Sequence, residues 1–192
     1  MGSLKFIESD RSVKLLVGER QLTMYNGDIM HLTADALVCP VNPHLDTRSG
    51  LARVICQSAG EKITHHLPMV SEPYGKVVVL PGGSLKVKYI FLTVVLGEKE
   101  SEKIRLCIQR AIERAIRYAE FLRLRSIAFP VLGSPLFSPS YNLVANEMVL
   151  TVAKYFHRRN KKLQAIFFSA YNQSAFEAFC KEAKYLVENS SY

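Results

Sequence analysis

With 192 residues, 48% hydrophobic and 22% charged, the chain is long enough for one α/β domain with a sizeable core and too short for two. No apolar run reaches the roughly 20 residues needed to cross a bilayer, and the N-terminus has no apolar stretch of the secretory type, so no membrane partner is expected. Lys+Arg 25 against Asp+Glu 17 leaves a net charge of +8, which favours anionic partners: nucleic acid, phosphorylated ligands or acidic protein tails.

Met1-Gly2-Ser3 reads as a cloning remnant and is given no structural meaning. Residues 4–8, 13–17 and 21–25 read as short strands, the last two joined as a hairpin by Gly18-Glu19-Arg20. Residues 35–40 form a nearly continuous apolar run, the mark of a strand buried on both faces. Leu51, Val54, Ile55 and Ala59 follow helical spacing, and Gly60 can stop that helix. Strands are expected at 76–80 and 89–96 around a Pro81-Gly82-Gly83 turn. The clearest helix is 101–124, with an apolar stripe from Ile104 through Cys107, Ile108, Ala111, Ile112, Ala115, Ile116 and Ala119 to Leu122, and Ser101 as its cap. A buried strand at 126–132, a helix at 142–157, a strand at 164–169 and a helix at 174–188 complete the chain. Strands alternating with helices predict a single α/β domain, a three-layer α/β/α sandwich around a central mixed, mostly parallel sheet.

The four cysteines, Cys39, Cys56, Cys107 and Cys180, are far apart and have no C-x-x-C spacing. They read as free, mostly buried thiols of a reducing compartment, which implies a nuclear or cytoplasmic setting. The adjacent His65-His66 have no cysteine or carboxylate at ligand spacing, so no zinc site is expected. In sheets of this kind ligands bind beyond the carboxyl ends of the central strands. Residues 41–50 and 133–140 occupy such positions and run into helix N-termini, where backbone N–H groups and the helix dipole favour an anion.

Five ordered blocks, "GDI" with "ADALV" and an asparagine, "SGLARVICQSAG", "PGGSLKVKYIFLTV" and "RSIAFPVLGS", resemble the macro domain, the module that binds ADP-ribose. The Gly50-Leu51-Ala52 form is most similar to the macro domains attached to poly(ADP-ribose) polymerases. The resemblance implies a ligand, ADP-ribose or an ADP-ribosylated protein, and no cofactor. It implies that Asp28 accepts a hydrogen bond from the adenine amino group, with Ile29 beside it; alone, Asp28 also reads as a cap on the turn after Gly27. Asn42 matches a contact to the distal ribose, or is a turn asparagine before Pro43. Gly50 and Leu51 match the loop over the diphosphate. Val131, Gly133, Ser134, Leu136 and Phe137 match the second loop, where the aromatic lies beside the distal ribose or is a core residue. Tyr171, Asn172 and Phe176 are placed near the adenine, Phe176 being equally readable as core.

The departures matter as much. Hydrolysing macro domains usually keep an asparagine where this chain has Cys39, and often an acid where it has Ala52. A thiol does not reproduce an amide's paired donor and acceptor, and a buried strand setting should raise its pKa. Thr47-Arg48-Ser49 replace loop glycines, and Pro135 has no N–H for a phosphate. Arg48 either pairs with the diphosphate or lies in solvent. A non-catalytic ADP-ribose-binding module of a larger protein is therefore expected; the alternatives are a degenerate interaction scaffold and an atypical mono-ADP-ribosyl hydrolase. Lys103, Arg110, Arg114 and Arg117 on the long helix, with the run from His157 to Lys162, form a basic surface open to nucleic acid or poly(ADP-ribose). No exposed aromatics are expected among those charges.

Overall fold

The computed structural model describes residues 4–65, 67, 71–95, 101–133, 140–157 and 162–189. The strands are β1 (Leu4–Ser9), β2 (Ser12–Val17), β3 (Arg20–Asn26), β4 (Ala36–Val41), β5 (Val77–Pro81), β6 (Tyr89–Val94), β7 (Ser126–Pro130) and β8 (Ala165–Ala170). The helices are α1 (Gly50–Ala59), α2 (Ser101–Phe121), α3 (Tyr141–Phe156) and α4 (Gln173–Asn189). Short 3-10 turns occupy Ile29–His31 and Glu61–Thr64.

The 8-stranded sheet has the order β1-β2-β3-β8-β7-β4-β6-β5. The β1/β2, β2/β3 and β5/β6 pairs are antiparallel, and the four pairs from β3 through β8, β7 and β4 to β6 are parallel. Alternation along the strands sorts side chains into two cores. Every residue of β4 is buried: Ala36 and Val38 join the core shared by α2, α3 and α4, whereas Leu37, Cys39 and Val41 face α1. The expected mixed three-layer sandwich is formed, with three helices packed side by side on one face and α1 with the 3-10 turns on the other.

The α2 stripe is buried as its period predicts, from Ile104 through Ala119. The helix ends at Phe121 instead of running to residue 124. Arg123 takes φ 55, in the left-handed region, and the Leu124 N–H donates to the Ala119 carbonyl at 2.8 Å, closing the helix and burying Leu124. Glu147 of α3, 5% exposed, locks α2 to α3 by accepting from Arg105 Nε at 2.6 Å and Gln109 Nε2 at 2.7 Å.

One feature of the sheet positions the site. β4 and β7 pair only through Ala36↔Ile127 and Leu37↔Ala128. Further on, Pro40 and Pro130 have no N–H to extend the ladder, and β7 ends at Pro130 instead of continuing to residue 132. The chain winds away from β4 in both directions, to β6 on one side and β7 on the other. A crevice at their carboxyl ends is the consequence.

Candidate functional site

A cleft of about 420 Å³ lies at this point, lined by Asp28 and Ile29 after β3, Leu51 and Val54 of α1, Pro130, Val131 and Gly133 at the end of β7, Tyr141 of α3, and Ser169, Tyr171 and Asn172 at the end of β8.

Asp28 is placed by backbone pairing. Asn26 is in register with Ala170, the Gly27 N–H donates to the Ala170 carbonyl at 3.0 Å, and Ser169 Oγ donates to the Gly27 carbonyl at 2.6 Å. Gly27 is thus clamped to β8, and Asp28 follows at the mouth of the cleft. Its Oδ1 accepts the Met30 N–H at 2.9 Å and caps the 3-10 turn. The cap reading is met, and the same side chain lines the cleft, where its second oxygen takes no hydrogen bond from the described residues.

The opposite wall starts with α1. Its N-cap Ser49 makes no side-chain cap bond, so the first-turn N–H groups have no acceptor from that side chain, and they carry the positive end of the helix dipole. α3 differs, because Ser140 Oγ accepts the Leu143 N–H at 3.2 Å. Gly133, at φ 141, turns the chain out of β7 in a region that favours glycine. On the third wall Tyr171 is 82% exposed. Asn172 donates through Nδ2 to the Tyr141 hydroxyl at 2.9 Å and accepts the Ala175 N–H at 2.8 Å.

Of the expected site residues, the structure brings together Asp28, Ile29, Leu51, Val131, Gly133, Tyr171 and Asn172. Asn42, Arg48 and Gly50 do not line the cleft. Asn42 Oδ1 accepts from the His44 and Asp46 N–H groups at 3.0 and 3.2 Å, the work of a turn asparagine. Arg48 lies in solvent, 89% exposed, and its Nε pairs with Asp46 Oδ1 at 2.9 Å. Gly50 opens α1 at φ 56. Phe176 belongs to the core. Ser134, Pro135, Leu136 and Phe137 lie outside the described residues, as does the basic run from Arg158 to Lys161. Val54, Pro130, Tyr141 and Ser169 were not expected. Val54 sits one helical turn after Leu51 and was legible from that spacing; Ser169 carried no signal, since it reads as an ordinary strand residue.

Cys39 is fully buried beneath α1 and Ala52 is buried beside it; neither lines the cleft. A hydrogen bond to Cys56 and burial hold the Cys39 thiol well above its usual pKa, as its strand setting predicts. Among the described residues there is no cluster of His, Cys, Asp and Glu that could hold a metal ion, and no helix is long and apolar enough to cross a membrane.

Comparison with known proteins agrees with this geometry. The macro domain family model matches residues 38–148. An uncharacterized protein of Sulfurisphaera tokodaii is 32% identical over 163 residues, spanning 80% of this chain and 85% of the relative. A macro domain-containing protein of Xanthomonas campestris pv. campestris is 27% identical over 172 residues, 83% of this chain and 93% of the relative. Among solved structures, the Oceanobacillus iheyensis macrodomain with ADP superposes with a TM-score of 0.81 at 19% identity, covering 92% of this chain and 97% of that one. The Trypanosoma brucei macrodomain in complex with ADP-ribose gives a TM-score of 0.75 at 17% identity, covering 83% and 68%. None of these points to the poly(ADP-ribose) polymerases in particular. With a family model that covers more than half of its length and an eight-stranded mixed sheet of the same fold, this chain belongs to the macro domain family.

Proposed function

We propose that this chain recognises ADP-ribose, free or linked to protein, and does not cleave it. The observation that carries this reading is the meeting of Asp28 and the uncapped first turn of α1 in one cleft. A carboxylate is the strong partner for the adenine amino donor, and an open helix N-terminus suits the diphosphate. Val131 and Gly133 extend the site along the end of β7, toward the distal ribose that the family places beside this loop. Structural neighbours with ADP and with ADP-ribose support the same ligand class.

Binding without hydrolysis is supported by Cys39 and Ala52, which are buried where hydrolysing macro domains keep a water-positioning asparagine and an acid. A protonated thiol under α1 has no path to a water in the cleft. The Gly50-Leu51-Ala52 helix start is the support for a polymerase-type parent protein. The free thiols Cys39, Cys56, Cys107 and Cys180 suit a reducing, nuclear or cytoplasmic setting.

Calorimetric titration with ADP-ribose tests the reading. Saturable heat with one site per chain is expected, together with no release of ADP-ribose from a modified acidic side chain. The absence of heat and of a thermal shift at millimolar ligand overturns the binding, and release of ADP-ribose overturns the non-catalytic role.

A further inference from the structure

The edge of the sheet remote from this cleft carries a second groove, of about 610 Å³, between the C-terminal half of α2 and the segment that enters β5. Lys76, Arg114, Arg117, Tyr118 and Phe121 line it, and none of them lines the cleft. We propose that this groove binds single-stranded nucleic acid, cations holding the phosphates and aromatic faces stacking the bases.

The spacing is the first support. Arg110, Arg114, Arg117 and Phe121 follow one another along a single stripe of α2, and a helix rising about 1.5 Å per residue spreads them over about 16 Å. The guanidinium groups are uncommitted: Arg110, Arg114 and Arg117 make no ion pair or hydrogen bond with the described residues, and the Glu113–Arg117 pair that their spacing permits is not formed. Acids on the flanking segments are otherwise engaged. Glu72 faces Lys76 at 3.9 Å, Glu120 accepts from the Lys162 and Leu163 N–H groups, and Glu113 lines a hollow between α2 and α3 that Arg117 borders as well, without an ion pair between the two.

The aromatics are the second support, and they correct the expectation of a basic patch without them. Phe121 is 82% exposed and Tyr118 40%, while Tyr118 is steadied edge-on against Phe91 at 6.3 Å. A phenylalanine left in water beside Arg114 and Arg117, which pair with none of the described residues, is not explained by packing. Pro73 and Val77 add apolar surface beside Phe121 and Tyr118, and the guanidinium and ammonium groups set among them favour a polyanion with exposed base faces over an uncharged apolar protein surface. Cations beside aromatic platforms are the composition of sites for unpaired strands, since a duplex keeps its base faces inside the stack.

Fluorescence anisotropy with a short labelled oligouridylate, the full chain and a duplex of equal length tests this. Saturable, salt-dependent binding is expected, weaker for the duplex. Phe121→Ala should weaken it about tenfold, within the range that base stacking on an aromatic supplies. Arg114→Ala with Arg117→Ala should lower the salt slope by about 1.4, about 0.7 for each lost phosphate contact on a single strand. Asp28→Ala should leave it unchanged. All these side chains are at least partly exposed, and a melting curve shows that each variant is folded. No saturable binding at low salt overturns the proposal. So does binding that ignores Phe121, or that is lost in Asp28→Ala, or a self-association abolished by Phe121→Ala without any binding of the strand.

Discussion

The side-chain amide of Asn172 donates to the phenolic oxygen of Tyr141 at 2.9 Å, joining the starts of α3 and α4 across one rim of the cleft. The same residue accepts the Ala175 N–H at 2.8 Å, so it caps α4 as well. Asn172→Ala removes both bonds and should lower the unfolding free energy by about 1–2 kcal/mol, the range of a lost N-cap. Tyr141→Phe removes only the partly exposed bond and should cost about 0.5 kcal/mol. Urea unfolding of the two variants separates the contributions; equal losses would show that the rim bond, and not the cap, dominates.

Asp28 performs a structural task and, on the proposed reading, a ligand task, and two substitutions divide them. Asp28→Ala loses the cap on Met30 and the charge, so stability should fall by about 1 kcal/mol, and ADP-ribose affinity should fall by at least tenfold, as expected for a hydrogen bond to a charged group. Asp28→Asn keeps a side-chain oxygen for the Met30 N–H and should melt close to the parent while still losing affinity. Calorimetry and thermal melting on the same samples check both halves. Full affinity in Asp28→Asn would remove the carboxylate from adenine recognition.

Most of the fold was legible because the two structural periods are written cleanly in the chain. β4 is apolar at every position, as a strand covered on both faces must be, and the α2 stripe keeps helical spacing through Ala119. The end of α2 was not legible: Leu122 and Leu124 continue the apolar pattern, and the left-handed turn falls on Arg123, a residue with no preference for that conformation. The cleft was legible through its ordered motifs at Asp28, Leu51, Val131 and Gly133, which sit at chain reversals. Ser169 and Tyr141 were not, because they come to the site only when β8 and α3 close against β7. Asn42 and Arg48 lie outside the cleft for a related reason. The His44 and Asp46 N–H groups hold Asn42 Oδ1 and the Asp46 carboxylate holds Arg48 Nε, local bonds that the sequence does not display.

Asp35 sets an acid limit on stability. Burial by itself would raise its pKa, but Lys88 Nζ at 2.8 Å and the N–H groups of Arg125 and Ser126 at 2.7 and 3.2 Å outweigh that, and the carboxyl sits below its ordinary value of 3.8. A depressed carboxylate contributes stability that is complete above its unfolded pKa and is lost as pH falls through the folded one. Asp35→Asn should therefore be less stable than the parent by about 1–2 kcal/mol at pH 7, with the gap closing at pH below that ordinary value. Denaturant unfolding at neutral and acid pH measures it; a gap that does not narrow would assign the effect to packing at the start of β4.

The bond from Arg105 to Glu147 couples α2 to α3 through a carboxylate with 6% of its side chain exposed, whereas Arg105 itself is 41% exposed. Removing the exposed partner leaves the buried charge with Gln109 alone. Arg105→Ala should cost about 2 kcal/mol, the scale for leaving a buried charged acceptor short of a donor. Adding Glu147→Gln to it should restore part of that loss, since a neutral amide tolerates the site better. A double-mutant cycle in urea gives the coupling directly, and strictly additive losses would refute it.

The turn between β5 and β6 is the least forgiving backbone position away from the cleft. A Cβ on Gly82 would lie 1.9 Å from the Val87 carbonyl oxygen, and one on Gly83 would lie 2.0 Å from the Ala59 carbonyl oxygen at φ 60. Both obstacles are backbone, so no side-chain rotation relieves them. The turn is also tied in place by the Gly82 N–H to Lys88 carbonyl bond at 2.9 Å and the Ser84 N–H to Ala59 carbonyl bond at 2.9 Å, the second reaching the end of α1. Gly82→Ala should destabilise by about 2–3 kcal/mol, and Gly83→Ala by at least as much, because the left-handed conformation adds its own cost. Because α1 supplies Leu51 and Val54 to the cleft, Gly83→Ala should also weaken ADP-ribose binding more than Gly82→Ala does at equal loss of stability. Titrating both variants well below their melting temperatures checks that order; equal affinities would show that the shift stops at the C-terminal end of α1.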